Sequence, residues 1–374
     1  MSKAFDTVDR GTLFEDLKDI LNNDELHMIS ILLNDVKLSV KCGKVTGENF
    51  NTNVGVPQGD CLSPVLFTLY LAKALAKEKQ QLQHHSVFTD HAYAKTPEDG
   101  LLPLHLQDHD YSNYQDHTFI IDQQYADDIG WVTNSKYRTD KIKTEIPEKL
   151  KKRNLQVNNG KTEEFSIKRN GTDDWKKCKY LGSLLNTTDD ITRRKQLALA
   201  AFTQYKGILT SDLPMKTRIR IFNAYITSVF LYNSELWTLT KSQESSIDIL
   251  QRKLLRRILK IHWPYTIKNE ELYQRTDEQK WSEKIRRRRL KWLGHMLRLP
   301  ELSPAQQALQ EALRPVKRPR GRPKNTWIQL INKDLKQADL KLGSSKLIDA
   351  VSDREVWNDL IEGVCAEPTN GETA

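Results

Sequence analysis

Tyr125-Ala126-Asp127-Asp128 sets two adjacent carboxylates between two strand-like segments, Thr118–Gln123 and Ile129–Thr133. Extended runs on either side of a tight acidic tetrapeptide predict a β-hairpin with the acids at its tip. Two neighbouring carboxylates are costly to hold together unless a cation neutralises them. Hard divalent ions such as Mg²⁺ take oxygen ligands of this kind. An isolated Asp-Asp is more often an acidic turn in solvent, so the surrounding segments decide between the two.

Upstream lies Gly55-Val56-Pro57-Gln58-Gly59-Asp60-Cys61-Leu62-Ser63-Pro64. Glycine there lets a backbone approach a bound nucleotide closely, and Gln58 can hydrogen-bond a base edge. Alone, the run also reads as an ordinary turn before a helix over Val65–Ala76. Further upstream is Lys3-Ala4-Phe5-Asp6-Thr7-Val8-Asp9. Downstream come Leu155-Gln156-Val157-Asn158-Asn159-Gly160-Lys161-Thr162-Glu163 and then Lys179-Tyr180-Leu181-Gly182.

In that order these five segments resemble the successive palm motifs of reverse transcriptases, including the Q-G-x-x-L-S-P and Y-A-D-D signatures. Arg286–Pro300, with its Arg-Leu-Lys-Trp-Leu-Gly-His, is similar to the region after the thumb in non-long-terminal-repeat (LINE-like) retrotransposons, as is Gly321-Arg322-Pro323-Lys324-Asn325-Thr326-Trp327. The resemblance implies an α+β right-hand polymerase palm, an antiparallel sheet with helices, followed by an all-helical thumb and a basic helical C-terminal extension. It implies RNA-templated DNA synthesis by two-metal nucleotidyl transfer, in which ions about 3.5–4 Å apart activate the 3′-hydroxyl and stabilise the leaving pyrophosphate. Asp127 and Asp128 would be the catalytic pair and the metal ligands, for Mg²⁺ or in its place Mn²⁺. Phe5 would crowd a 2′-hydroxyl and favour deoxynucleotides, while Gln58 and Gly59 shape the nucleotide and template pocket. Lys161 would clamp the triphosphate or give a proton to pyrophosphate; a solvated turn lysine is the plainer reading. Tyr180, Leu181 and Gly182 would form the primer grip. The implied partners are an RNA template, a DNA primer, deoxynucleoside triphosphates and a genomic DNA target.

One departure shapes the expectation. The family's first motif reads Asp, two residues, then Lys-Ala-Phe-Asp, whereas here only Met1 and Ser2 precede Lys3. Asp6 stands six residues beyond the expected aspartate, up to about 20 Å away in an extended segment. Asp6 and Asp9 suit the turn into the following helix instead. The expectation is a chain truncated at the first palm motif, its palm short of a central strand, and slowed thousands-fold or more by a missing bridging ligand. A second reading, from a different class, is a non-catalytic nucleic-acid-binding remnant acting through the thumb and basic tail.

The remaining sequence fits this frame. Lys and Arg number 58 against 49 Asp and Glu, a formal net charge of +9, which favours an acidic partner such as nucleic acid. No apolar run approaches the roughly 20 residues that span a bilayer, and Met1–Arg10 lacks a signal-peptide core, so an intracellular protein of nucleus and cytoplasm is expected. Cys42, Cys61, Cys178 and Cys365 form no paired motif and read as free thiols. Six of the nine histidines fall between His84 and His117, a surface insertion more than a zinc site.

Leu13, Phe14, Leu17, Ile20 and Leu21 mark one helical face, with Thr12-x-x-Glu15 as its capping box. Val36–Cys42, running into Gly43, predicts a hairpin. Apolar stripes predict helices through Ile219–Phe230, through Ile247–Ile261 and over Trp281–Leu297. Ser352-x-x-Glu355 should cap a last helix through Val356, Leu360 and Val364. The expected organisation is a palm with partial fingers over 1–178, primer grip and thumb over 179–262, a basic helical connector over 263–313, and a Pro/Arg-rich linker with C-terminal helices over 314–374. Arg286, Arg287, Arg288 and Arg289 form a dense cationic run that reads as a nucleic-acid contact or a solvated helix face. Pro319-Arg320-Gly321-Arg322-Pro323 has the look of a minor-groove AT-hook, with Arg320 and Arg322 as its contacts, or of a plain basic linker. Trp237, Trp281, Trp292, Trp327 and Trp357 suit core positions.

Overall fold

A computed structural model describes residues 4–34, 36–84, 93–95, 101–103, 122–133, 136–167, 174–300, 303–313 and 325–365. The chain divides into two compact units, Met1–Glu164 and Phe165–Ala374. Helices and small antiparallel sheets make up both, and every sheet among the described residues is two-stranded. No helix among these residues is long and apolar enough to cross a membrane.

The first unit opens with a 3₁₀ turn, Phe5–Thr7, then α1 (Arg10–Leu17) and α2 (Asn23–Leu33). Asp9 caps α1, its carboxylate accepting from the Thr12 amide at 2.7 Å. The expected capping box at Thr12 is therefore displaced by three residues: Thr12 donates to a cap instead of being one. Leu13 and Leu17 are buried, but α1 ends at Leu17, so Ile20 lies past the helix and stays half exposed. A long hairpin follows, β1 (Val36–Leu38), β2 (Lys41–Cys42), β3 (Val45–Thr46) and β4 (Phe50–Thr52), with β1 pairing β4 and β2 pairing β3 around Gly43.

α3 (Ser63–His84) starts two residues earlier than the apolar pattern suggested, because Asp60 caps it through the amides of Leu62 and Ser63. β5 (Tyr93–Lys95) pairs with β6 (Leu101–Pro103), and β7 (Asp122–Tyr125) with β8 (Asp128–Trp131). α4 (Lys136–Lys151) and a 3₁₀ turn, Asn159–Lys161, complete the unit. Its core gathers Val8, Leu13 and Leu17 with Leu66, Phe67, Tyr70 and Leu71 of α3 and Ile146 and Leu150 of α4. Arg153 ties α1 to the turn after α4 through Asp16.

The second unit begins with β9 (Lys179–Tyr180) and β10 (Ser183–Leu184), a two-residue hairpin. Helices then run as α5 (Thr187–Leu209), α6 (Met215–Phe222), a π turn at Asn223–Thr227, α7 (Ser228–Phe230), α8 (Lys241–Ile258), α9 (Asn269–Thr276) and α10 (Trp281–Arg298). α11 (Pro304–Leu313), α12 (Trp327–Leu335), α13 (Ser345–Ser352) and α14 (Arg354–Cys365) end the described chain. The predicted stripe Ile219, Phe222, Ile226 and Phe230 is buried, as are Ile247, Leu250, Leu254 and Ile258. Ile261 lies past the end of α8 and is only half-buried.

α10 belongs to two cores. Its Trp281 stacks on Phe230 at 4.2 Å between ring centres and Ile285 packs beside it, while Leu290, Leu293 and Met296 join α12 and α14. Gly294 is required at the second contact: a Cβ there would lie 2.2 Å from the Trp357 indole nitrogen, which donates to Leu290 O. Ser352 is the last residue of α13, and Asp353 caps α14 through the amides of Glu355 and Val356. Of the stripe expected there Val364 is buried and Leu360 packs on the core, but Val356 is half exposed, and Trp357 and Ile361, one residue after Val356 and Leu360, are fully buried.

Candidate active site

Ala126 and Asp127 alone form the tip of the β7–β8 hairpin, since Tyr125 and Asp128 already pair as strand residues. Two-residue hairpin loops favour turns with positive φ, which match the right-handed twist of the strands. Ala126 complies at φ 50° without the freedom of glycine, a strain of about 1 kcal/mol or more. This turn sends Asp127 into a cavity of about 490 Å³, also lined by Ala4, Phe5, Pro57, Gln58, Gly59, Ser63, Pro64 and Lys161. Asp128, one residue on, is exposed and does not line it.

The cavity's other walls are held by short, specific contacts. The Phe5 ring stacks on Phe67 of α3 at 4.6 Å between centres, and Phe67 is fully buried. The 55–59 loop runs against the first 3₁₀ turn: Gly55 N donates to Val8 O at 2.8 Å and Val56 N to Phe5 O at 2.9 Å. Gly55 has φ 83°, and a Cβ on it would sit 2.9 Å from Asp6 Cα, Asp6 O and Phe5 O. Gly59, at φ 101°, has open space where a Cβ would be. Gln58 donates to the Asp6 carboxylate at 3.4 Å, a long bond between exposed groups. Lys161 reaches the cavity from the 3₁₀ turn Asn159–Lys161.

Arg10 anchors this wall from behind. Buried on α1, it donates to the carbonyls of Gly55 at 2.8 Å and Thr52 at 2.7 Å, and also to that of Leu33. Burial lowers its pKa from the usual arginine range. The Asp60 pKa is lowered too, by its cap: the Ser63 amide, above all, stabilises the carboxylate.

Five of the predicted pocket and catalytic residues, Phe5, Gln58, Gly59, Asp127 and Lys161, thus meet at one cavity. Ala4, Pro57, Ser63 and Pro64 complete it, and Phe67 and Arg10 support it; none of these six was singled out from the sequence. Phe67 was legible in retrospect, lying one helical turn after Ser63. Arg10 gave no signal, because its partners are backbone carbonyls.

Tyr180, Leu181 and Gly182 lie in the second unit. Leu181 and Gly182 form the tip of the β9–β10 hairpin at φ 45° and 79°. The Gly182 carbonyl accepts from Arg193 at 2.9 Å and from buried Arg194, and Leu181 O accepts from the Tyr232 hydroxyl at 2.8 Å.

The arginine run on α10 requires a correction. Arg289 is buried and donates twice to Asp334 of α12, at 2.8 and 3.1 Å, so it is not available to a nucleic-acid backbone. Arg286 also faces Asp334 at 3.3 Å, Arg287 forks onto Glu362 of α14, and Arg288 reaches Leu231 O. A dense like-charged run repels itself unless countered, and here most of the counter-charge comes from the chain's own helices. Arg320 and Arg322, and the histidines after His84 up to His117, lie outside the described residues.

For a divalent cation the donor set is small. Among the described residues no group of three or more His, Cys, Asp or Glu side chains converges. Asp127 and Asp128 supply two hard oxygen donors on consecutive residues. That fits a Mg²⁺ ion that keeps several waters and takes its remaining ligands from substrate phosphates. It does not fit a preformed two-ion centre.

Residues 1–185 match the family model described as reverse transcriptase (RNA-dependent DNA polymerase). The N-terminal half of this chain is a reverse-transcriptase domain. A Caenorhabditis elegans protein described as transposon-derived is 27% identical to the chain over 240 residues, 58% of this chain and 85% of that protein. The cavity at the β7–β8 tip is lined entirely by residues within the matched stretch 1–185.

Proposed function

We propose that this cavity is the nucleotide-addition site of an RNA-directed DNA polymerase belonging to a non-long-terminal-repeat retrotransposon. What carries the reading is the convergence of Phe5, Gln58, Gly59, Asp127 and Lys161, from four separate stretches of sequence, on one 490 Å³ space. Its substrates would be a deoxynucleoside triphosphate and a DNA primer paired to RNA, and its genomic target a nicked duplex. The palm would extend to residue 178, with primer grip and thumb to 262 and the remaining helices beyond.

Each side chain has a role that its position supports. The Phe5 ring, backed by Phe67, closes the space beneath a sugar and excludes a 2′-hydroxyl. Gln58 turns from Asp6 to a base or template edge, and the open space over Gly59 admits the nucleotide. Lys161 neutralises the triphosphate and donates a proton to departing pyrophosphate. Asp127 in the cavity and the neighbouring Asp128 are the residues that would hold a Mg²⁺ ion, which would supply the positive charge that eases attack by the 3′-hydroxyl.

The two-carboxylate donor set favours a second reading alongside the first: primer–template and nucleotide binding with little chemistry. A site with two carboxylate donors forgoes several kcal/mol of the transition-state stabilisation that a fuller ligand set supplies, roughly a thousand-fold or more in rate. Primer extension on poly(rA)·oligo(dT) with dTTP and Mg²⁺, comparing the chain with Asp127→Ala, separates the readings. Extension by the wild type alone supports the polymerase. Salt-dependent binding of primer–template by both proteins, with extension by neither, supports the remnant.

A further inference from the structure

We propose that the turn His262–Tyr265, between α8 and α9, is a stacking platform for single-stranded nucleic acid. Trp263 is 90% exposed and Tyr265 80%, more than any other large apolar side chain among the described residues. The other tryptophans are buried or half-buried, so this ring is an exception that packing does not explain. The turn itself is anchored. Ile261 N donates to Arg256 O at 2.9 Å, Lys260 takes a left-handed φ of 59°, and Tyr265 N closes onto His262 O at 2.9 Å. Ile267 returns the chain to the core. The two aromatic rings are therefore displayed from a turn fixed at both ends.

The charge around the turn selects the partner. Between Asp248 and Glu270 the sequence holds Arg252, Lys253, Arg256, Arg257, Lys260 and Lys268 and no carboxylate. Lys260 pairs with Asp212 and Arg256 with Asn269, while Lys253, Arg257 and Lys268 are exposed. Exposed aromatic faces among cations match a polyanion that carries its own flat π surfaces. Bases that are already unpaired stack on such rings with little regard to sequence, while the lysines and arginines follow the phosphates. A duplex hides its base faces and cannot use the rings. This surface lies outside the polymerase cavity, and the inference holds whether or not that cavity is catalytic.

Fluorescence anisotropy of a labelled dT20 on the full chain tests it. Trp263→Ala and Tyr265→Ala should each weaken binding by roughly 5- to 100-fold, while Trp263→Phe keeps most of the affinity. Removing a ring removes no phosphate contact, so the dependence of affinity on salt should keep its slope. Affinity for a duplex of equal length should not change, nor should the thermal midpoint, since neither ring is packed. Wild-type affinity for dT20 in both alanine variants overturns the proposal. So does an equal loss for duplex and single strand, or a wild-type chain that self-associates through these rings while the variants do not.

Discussion

Asp127 and Gly55 show how much of the cavity rests on single positions. Asp127 lines the space while Asp128 does not, so the two carboxylates should not be equivalent. Asp127→Asn keeps the shape and removes the charge. Nucleotide incorporation, if present, should fall by at least about a hundred-fold, well beyond the effect of Asp128→Asn, as single-turnover primer extension would read. Gly55→Ala places a Cβ 2.9 Å from the Phe5 and Asp6 backbone at a positive φ. It should cost about 2 kcal/mol or more by strain and displacement and raise the KM for dTTP, because Phe5 moves with that backbone; urea unfolding and steady-state kinetics would check the two halves. Both residues stand in motifs the sequence displays. Their reasons differ: Asp127 was legible from chemistry, and Gly55 from a glycine whose clash partners only the fold reveals.

Elements are set by their ends and by what their polar faces meet. Asp9 and Asp60 cap α1 and α3, and in both the bonded amides and hydroxyls hold the carboxyl below its usual range. A carboxyl with a lowered folded-state pKa contributes stability at pH values above about 4, the unfolded value. That contribution is lost as pH falls through the lower folded value. Asp9→Asn and Asp60→Asn should therefore lower stability at pH 7 and flatten the acid side of the stability curve, the difference from the wild type shrinking as pH falls below about 4, measured by denaturant titration. On α10, Arg289→Met leaves Asp334 buried with only Arg286 beside it. The loss should be about 3–5 kcal/mol, whereas Arg289→Met with Asp334→Leu should recover most of it in a double-mutant cycle. The helices themselves were legible as apolar stripes. Their caps were misread at Thr12 and Ser352, because an Asp one or three residues away competes for the same amides and three-dimensional geometry decides the winner.

At the scale of the whole molecule, a net charge of +9 predicts binding to nucleic acid that weakens steeply with salt. The slope of log affinity against log salt should be unchanged in Arg287→Gln, whose guanidinium already meets Glu362, and should drop in Lys253→Gln with Arg257→Gln. Filter binding across 50–200 mM salt would tell. By itself the amino-acid sequence determined the family, the acidic hairpin, five of the nine residues that line the cavity and the apolar faces of most helices. Those follow from local chemistry: turn geometry, side-chain type and periodicity. Only the tertiary structure decided that Asp127 and not Asp128 meets the cavity, that Arg10 holds its wall, that Gly294 exists for Trp357, and that the arginine run binds the chain's own carboxylates. A cation's partner is whichever acceptor the fold brings within reach, and charge read along a sequence is blind to acceptors dozens of residues away.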